Sequence, residues 1–567
     1  MACTRRDFLR LIPAAAAMGA SPPPYPVRFV DVARSAGLRD EIVYGGITAK
    51  KYIVETNGCG VAFYDYDQDG WLDILVLNGW RLEGFPKGKE PTNHLYRNNR
   101  DGTFTDVTAR AGLVRSGWAS AVCIGDYDND GFDDLFITYW GQNVLYHNNG
   151  DGTFTDVTAK AGLGGQPRRW NAGCTFVDYD RDGKLDLLVS NYIDINLDEL
   201  AVPEKGTNCT YKGIPVHCGP RGLKGTRNYL YHNNGDGTFT DVSEKSGVHK
   251  PAGYYGMTAT TLDFDDDGWQ DIYVVCDSTP SILYRNNRDG TFKDLAVERG
   301  VAYSEDGREQ SGMGVAIADY DGDGRIDIVK TLFADEIPAL YRNDGAGYFA
   351  DASIQAGLNV ITKYVQWGVG LVDFDNDTWP DLLYVTGHVY PELERSNVDY
   401  PFKGPRVLFR NLGNGKFENV TEKCGPGLTV PFSSRGCAFG DFDNDGDMDV
   451  LVMNMNAPPS LLRCDSSSRH HWLKVKLTGT VSNRTAIGAR VLVRCGSRRQ
   501  VQGVESQSSY YSVNDLRLHF GLGESSKADL VEIAWPSGRK ESLRDVEGDR
   551  LIFIKEGHGI VRSQRFS

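Results

Sequence analysis

Asp65-Tyr66-Asp67-Gln68-Asp69-Gly70-Trp71-Leu72-Asp73 decides how this chain folds, because the spacing Asp-x-Asp-x-Asp-Gly-x-x-Asp returns at Asp126, Asp178, Asp263, Asp319, Asp373 and Asp441. The sixth copy has Thr378 where the others have Gly. A small, apolar, strand-like stretch precedes each copy, as in Gly60-Val61-Ala62-Phe63, and a second follows it, as in Leu72-Asp73-Ile74-Leu75-Val76. Two strands joined by an acidic turn are therefore predicted seven times over.

Downstream of each acidic turn lies a second signature, Leu-Tyr-x-Asn-Asn-x-Asp-Gly-Thr-Phe, nearly intact from Leu95, Leu145, Leu230 and Leu283 and weaker from Leu340 and Leu408. Its Asp-Gly pair between apolar runs is a hairpin signal and supplies strands three and four. Each repeat then reads as a four-stranded sheet of about 60 residues, the composition of a propeller blade. The seventh repeat stops at Ser460-Leu461-Leu462-Arg463 without a fourth strand, while Phe29-Val30-Asp31-Val32 and the residues to Leu38 match Phe104-Thr105-Asp106-Val107 and the residues to Leu113. The fold class predicted is all-β: a seven-bladed β-propeller closed by the N-terminal strand, followed by a small C-terminal β domain. The propeller is expected over residues 27–464 with an insertion at 192–227, the β domain over 470–557, and a tail at 558–567.

The composition fits a folded, acidic chain. Among 567 residues, 24% are charged and the formal net charge is −15, which argues against nucleic acid as a partner, and no apolar run is long enough to span a membrane. The first residues read as an address: Thr4-Arg5-Arg6-Asp7-Phe8-Leu9 precedes a short Ala-rich run, a pattern similar to a twin-arginine export signal over residues 1–22. A periplasmic or extracellular chain is expected. Cys59, Cys123, Cys174 and Cys437 stand in apolar runs and read as buried thiols. Cys209 and Cys218 sit in a Gly/Pro-containing insertion with no core of its own, where a disulfide is expected.

Alternating carboxylates followed by Gly form a tight turn that points oxygens inward, the arrangement that opens a calcium loop. The expected ligands are Asp65, Asp67, Asp69 and Asp73 with the carbonyl of Trp71; Asp126, Asp128, Asp130 and Asp134; Asp178, Asp180, Asp182 and Asp186; Asp263, Asp265, Asp267 and Asp271; Asp319, Asp321, Asp323 and Asp327; Asp373, Asp375, Asp377 and Asp381; and Asp441, Asp443, Asp445 and Asp449. About seven Ca²⁺ sites are implied, since magnesium prefers a stricter octahedron and zinc or copper would draw on His or Cys. In the sixth site Thr378 must adopt a conformation that Gly makes easy.

Strand alternation places the remaining loops on the opposite face. Candidate ligand-binding residues there are Trp118, Arg168, Trp170, Asn171, Tyr255, Glu309, Trp367, His388 and Arg435. Aromatic and polar groups at a propeller mouth suit a glycan, a peptide or a small molecule, or they plug the channel. No Gly-x-Ser-x-Gly elbow, His-Glu-x-x-His helix or phosphate loop is present, so no catalytic residue is assigned. The leading expectation is a monomeric binding protein whose partner is an extracellular protein or glycan. A propeller enzyme acting on a polysaccharide or small metabolite, through Arg168, Glu309 or His388, is the alternative.

The repeats resemble the FG-GAP or VCBS type found in integrin-like propellers. From His470 onward the chain resembles the ASPIC/UnbV, or cartilage acidic protein-like, family, on the strength of Ala486-Ile487-Gly488-Ala489-Arg490-Val491, Leu518-His519-Phe520-Gly521-Leu522-Gly523 and Trp535-Pro536-Ser537-Gly538. The stretch from Cys209 to Pro220 is similar to that family's insertion.

Overall fold

The computed structural model describes residues 25–165, 169–196 and 209–566. The expected export signal and Arg168 lie outside the described residues. What is described is all-β and propeller-like, with only short helical turns between strands.

Seven four-stranded antiparallel sheets carry the repeats. In the first, Val61–Tyr64, Asp73–Val76, His94–Asn98 and Phe104–Asp106 lie side by side in chain order. The next five sheets open on Ala119–Gly125, Asn171–Val177, Gly256–Leu262, Val315–Ala318 and Gln366–Val372 and keep the same order. The last sheet starts at Ser434–Gly440, and its fourth strand is Val27–Asp31, paired antiparallel with Ser460–Ser466 so that Phe29 faces Cys464. The opening strands pack against one another in sequence, and Ser434–Gly440 packs back against Val61–Tyr64.

These opening strands are almost wholly buried, which explains why they read as small apolar runs rather than alternating ones. The eight free cysteines among the described residues are all buried, including the four expected to be. The insertion forms two short ladders, Ile193–Asp194 with Lys224–Gly225 and Thr210–Tyr211 with Ile214–Pro215, and Cys209 and Cys218 are joined by a disulfide.

Two further sheets follow. One orders Leu518–Gly523, His471–Thr478, Arg550–Lys555 and Gly559–Gln564, with the middle pair parallel; the other orders Arg498–Gly503, Arg490–Cys495, Lys527–Ala534 and Lys540–Glu547.

Candidate functional site: acidic loops, a filled channel and a cavity

Each acidic loop is fixed by hydrogen bonds before any ion is considered. The first Asp accepts the N–H of the sixth loop residue in every copy, from Gly131 to Asp126 at 2.7 Å to Gly183 to Asp178 at 3.2 Å. The fourth Asp starts the second strand and accepts a backbone N–H from the third: Asn98 to Asp73 at 2.8 Å, Asn286 to Asp271 at 2.7 Å, Cys464 to Asp449 at 2.8 Å. Thr378 fills the Gly position of the sixth loop at φ 85°, in the left-handed region, as expected.

These bonds leave other oxygens without a donor. Oδ1 of Asp65, Asp67, Asp178, Asp180, Asp265, Asp321 and Asp443 is buried and has no hydrogen-bond partner, and ligand atoms of Asp65, Asp67 and Asp73 lie within 4.8 Å of one another. Burial, and then the neighbouring carboxylates, push Asp126 up to about 8 and Asp178 up to about 7. Burial likewise drives Asp327 and Asp449 well above the carboxylate range. Convergent, donorless carboxylates of this kind fit a hard divalent cation.

The C-terminal sheets cover these loops. Arg484 N donates to Asn129 Oδ1 at 2.8 Å, and Thr485 Oγ1 donates to Asp133 and accepts from Asp126 N. Gln270 Nε2 donates to Gly488 O, Arg490 reaches Gly324 O, and His519 Nε2 sits 2.7 Å from Asn376 Oδ1. In the seventh loop the fully buried Lys474 ammonium bonds Asp441. Burial raises that carboxyl, but Lys474 more than offsets it, and Asp441 sits below the usual range.

From this cover the segment Ser506–Ser512 runs into the space enclosed by the opening strands. Gln507 Nε2 donates to Val122 O, and Cys174 N donates to Gln507 Oε1. Val315 N donates to Ser509 O, Val369 N to Ser509 Oγ, and Val122 N to Tyr511 O. Four strands from different sheets therefore spend inward-facing backbone groups on one segment. Its polar, unpatterned sequence reads as an exposed loop, and nothing local signals that strands of several sheets supply its partners.

At the far ends of the same strands from the acidic loops lies a cavity of about 400 Å³. Trp367, Tyr390, Tyr192 and Met257 give it apolar walls, and Asn57, Asp277, Ser278 and Ser311 add polar groups. Tyr192 OH donates to Asp277 at 2.5 Å and Ser278 Oγ at 2.9 Å. The Cys209–Cys218 disulfide and Arg221 form part of its wall, and the channel segment supports its floor, with Tyr510 OH bonding Asn57 O and Tyr511 OH bonding the Met257 sulfur.

Of the nine residues predicted for this face, Trp367 lines the cavity. Arg435 is fully buried, stacked 4.1 Å from the Trp367 ring centre, and donates to Thr56 O, Gly387 O and His388 O. His388 is buried, and burial, then Arg435, push its imidazole down to about 3. Trp118 and Trp170 pack against Tyr44 and Tyr192, Asn171 bonds Tyr139 O, and Tyr255 OH bonds Leu223 O of the insertion. Glu309 is exposed and lies 3.4 Å from Arg221. The sequence missed Asp277 and Tyr192 as a pair because they belong to different repeats.

Comparison with known proteins gives a consistent result. The FG-GAP-like repeat family model matches residues 65–137, 126–189, 222–274, 263–329 and 401–452, and the ASPIC and UnbV model matches 479–561. Human cartilage acidic protein 1 is 24% identical over 524 residues, covering 86% of this chain and 70% of that protein. Its mouse counterpart is 25% identical over 518 residues, covering 88% and 73%. Among solved structures, an Agrocybe aegerita lectin recognising terminal N-acetylglucosamine covers 70% of this chain and 86% of its own at 17% identity and a TM-score of 0.36. The Dos1 propeller covers 77% and 95% at 8% identity and a TM-score of 0.36. The chain belongs to the FG-GAP-like repeat proteins and carries an ASPIC and UnbV region behind its repeats.

Proposed function

We propose that this chain is an exported, calcium-loaded binding protein: a closed seven-bladed propeller over residues 27–464 whose acidic loops hold Ca²⁺, with an ASPIC/UnbV-type unit over 470–557 seated on them. Seven four-stranded sheets, the pairing of Val27–Asp31 into the last of them and the return contact of the first and last opening strands support the closed ring. The donorless carboxylate oxygens support the metal. Calcium would supply the positive charge that lets these carboxylates stay ionised side by side, and the chain's own hydrogen bonds hold the turn ready for it. The Arg5-Arg6 pair and the apolar run after it support export.

The ligand site in this reading is the cavity over Asp277, and that cavity carries the proposal. A carboxylate held by two hydroxyls, beside Asn57, Ser311 and the rings of Trp367 and Tyr390, suits a hydroxyl-rich ligand such as a glycan, which stacks on rings and donates to carboxylates. The acidic loops take no part in it, and the protein acts as a monomer. A glycan array followed by titration calorimetry tests this: a bound glycan is expected to lose at least about tenfold in affinity with Asp277→Asn, at unchanged melting temperature. Equal binding by the variant, or no binding across the array, contradicts it.

A further inference from the structure

The third strand of each sheet carries an Arg or a His two positions after its Leu, and in several sheets that side chain reaches the acidic loop. In the first and fourth sheets it is an arginine: Arg97 Nε lies 2.7 Å from Asp67 Oδ2, and Arg285 Nε 2.9 Å from Asp265 Oδ2. A guanidinium can neutralise carboxylates but has no lone pair to give a metal. Arg342, Arg410 and Arg463 hold the same position in the fifth, sixth and seventh sheets.

The second and third sheets differ. His147, opposite Thr155, puts Nδ1 3.2 Å from Asp128 Oδ2 and 3.3 Å from Asp134 Oδ1. His232, opposite Thr240, puts Nδ1 3.0 Å from Asp186 Oδ1 and 3.5 Å from Asp180 Oδ2. Both Nδ1 atoms are buried, and neither makes a hydrogen bond of proper geometry. Ligand atoms of Asp128, Asp134 and His147 fall within 4.8 Å of one another, as do those of Asp180, Asp182 and His232. A separate observation points the same way in the third loop: Asp178 is 3% exposed, and its Oδ1 also lacks any donor.

We infer that the second and third loops are nitrogen-bearing sites that take a borderline divalent ion of the zinc and cobalt class in preference to Ca²⁺, leaving the other five as oxygen-only sites. An imidazole nitrogen among carboxylates suits Zn²⁺ or Co²⁺, whereas calcium gains little from nitrogen and selects oxygen shells. The third site would draw on Asp180, Asp182 and His232, with Asp186 against the same imidazole and Asp178 in the same loop, and the second on Asp128, Asp134 and His147. This rests on the reading that the acidic loops hold divalent cations.

The test uses the full mature chain without an affinity tag, stripped by chelator and dialysed into millimolar Ca²⁺. Co²⁺ is then titrated while its visible absorption is followed, and bound metal is measured by elemental analysis. Two equivalents of Co²⁺ are expected to bind against the calcium excess, with the absorption of a nitrogen-ligated ion. The double variant His147→Arg/His232→Arg installs the residue that the other five sheets carry, so it should fold. It is expected to keep its calcium and lose cobalt affinity by roughly 100-fold. Equal cobalt binding by wild type and variant, with calcium bound by both, overturns the inference and leaves the calcium reading standing. Neither metal binding to a folded chain overturns both.

Discussion

Glu505 enters the space beneath the C-terminal sheets with one hydroxyl for a partner, Thr260 Oγ1 at 3.0 Å, and burial pushes its carboxyl from 4.5 up to about 8. The folded chain thus holds a proton that the unfolded chain releases near pH 4.5, so stability falls as pH rises from there through about 8. Glu505→Gln stays neutral throughout. Urea unfolding should find the variant more stable than wild type by on the order of 2 kcal/mol at pH 9 and equal to it at pH 4. Equal stability at both values would mean that Glu505 ionises freely in the fold. At this scale the acidic turns were legible because the spacing of the Asp residues is itself the turn. Lys474 was not, since a lysine in the alternating run Trp472–Leu477 reads as a solvent-facing position, yet it is buried against Asp441.

Among the elements, the blades were readable and the channel segment was not. Strand pairs joined by a fixed turn carry their signal within about 20 residues, whereas Gln507 bonds Val122 across 385 positions of chain. Gly60 records the contact from the other side: an added Cβ would stand 1.7 Å from Tyr511 O, a backbone atom that cannot step aside. Gly60→Ala should therefore displace the Ser506–Ser512 segment or distort the first strand, costing about 3 kcal/mol. Gly503→Ala, whose Cβ would meet Ala489 O at an ordinary 3.7 Å, is the matched control. Thermal melts of the two should differ by several degrees. Matching melts would show that the segment does not fill the channel in solution.

For the whole molecule, the acidic face is partly covered by the C-terminal sheets. The loops meet the C-terminal sheets through Asn129, Asp133, Gln270, Asn376 and Asp441, and the same sheets send Ser506–Ser512 through to the floor of the cavity. If the loops hold calcium as proposed, its loss would set carboxylates against one another beneath this cover, loosening the repeat sheets, the C-terminal sheets and the cavity floor together. No helix among the described residues is long and apolar enough to cross a membrane. The role of the C-terminal region could not be read from its own sequence, because it is defined by loops that belong to the repeats. The most direct test is calcium content and thermal melting of the mature chain with calcium as the sole divalent cation, with and without excess chelator. Close to seven equivalents, and a melting temperature that drops steeply on chelation, are predicted. Few or no equivalents, with unchanged melting, would contradict the account at its centre.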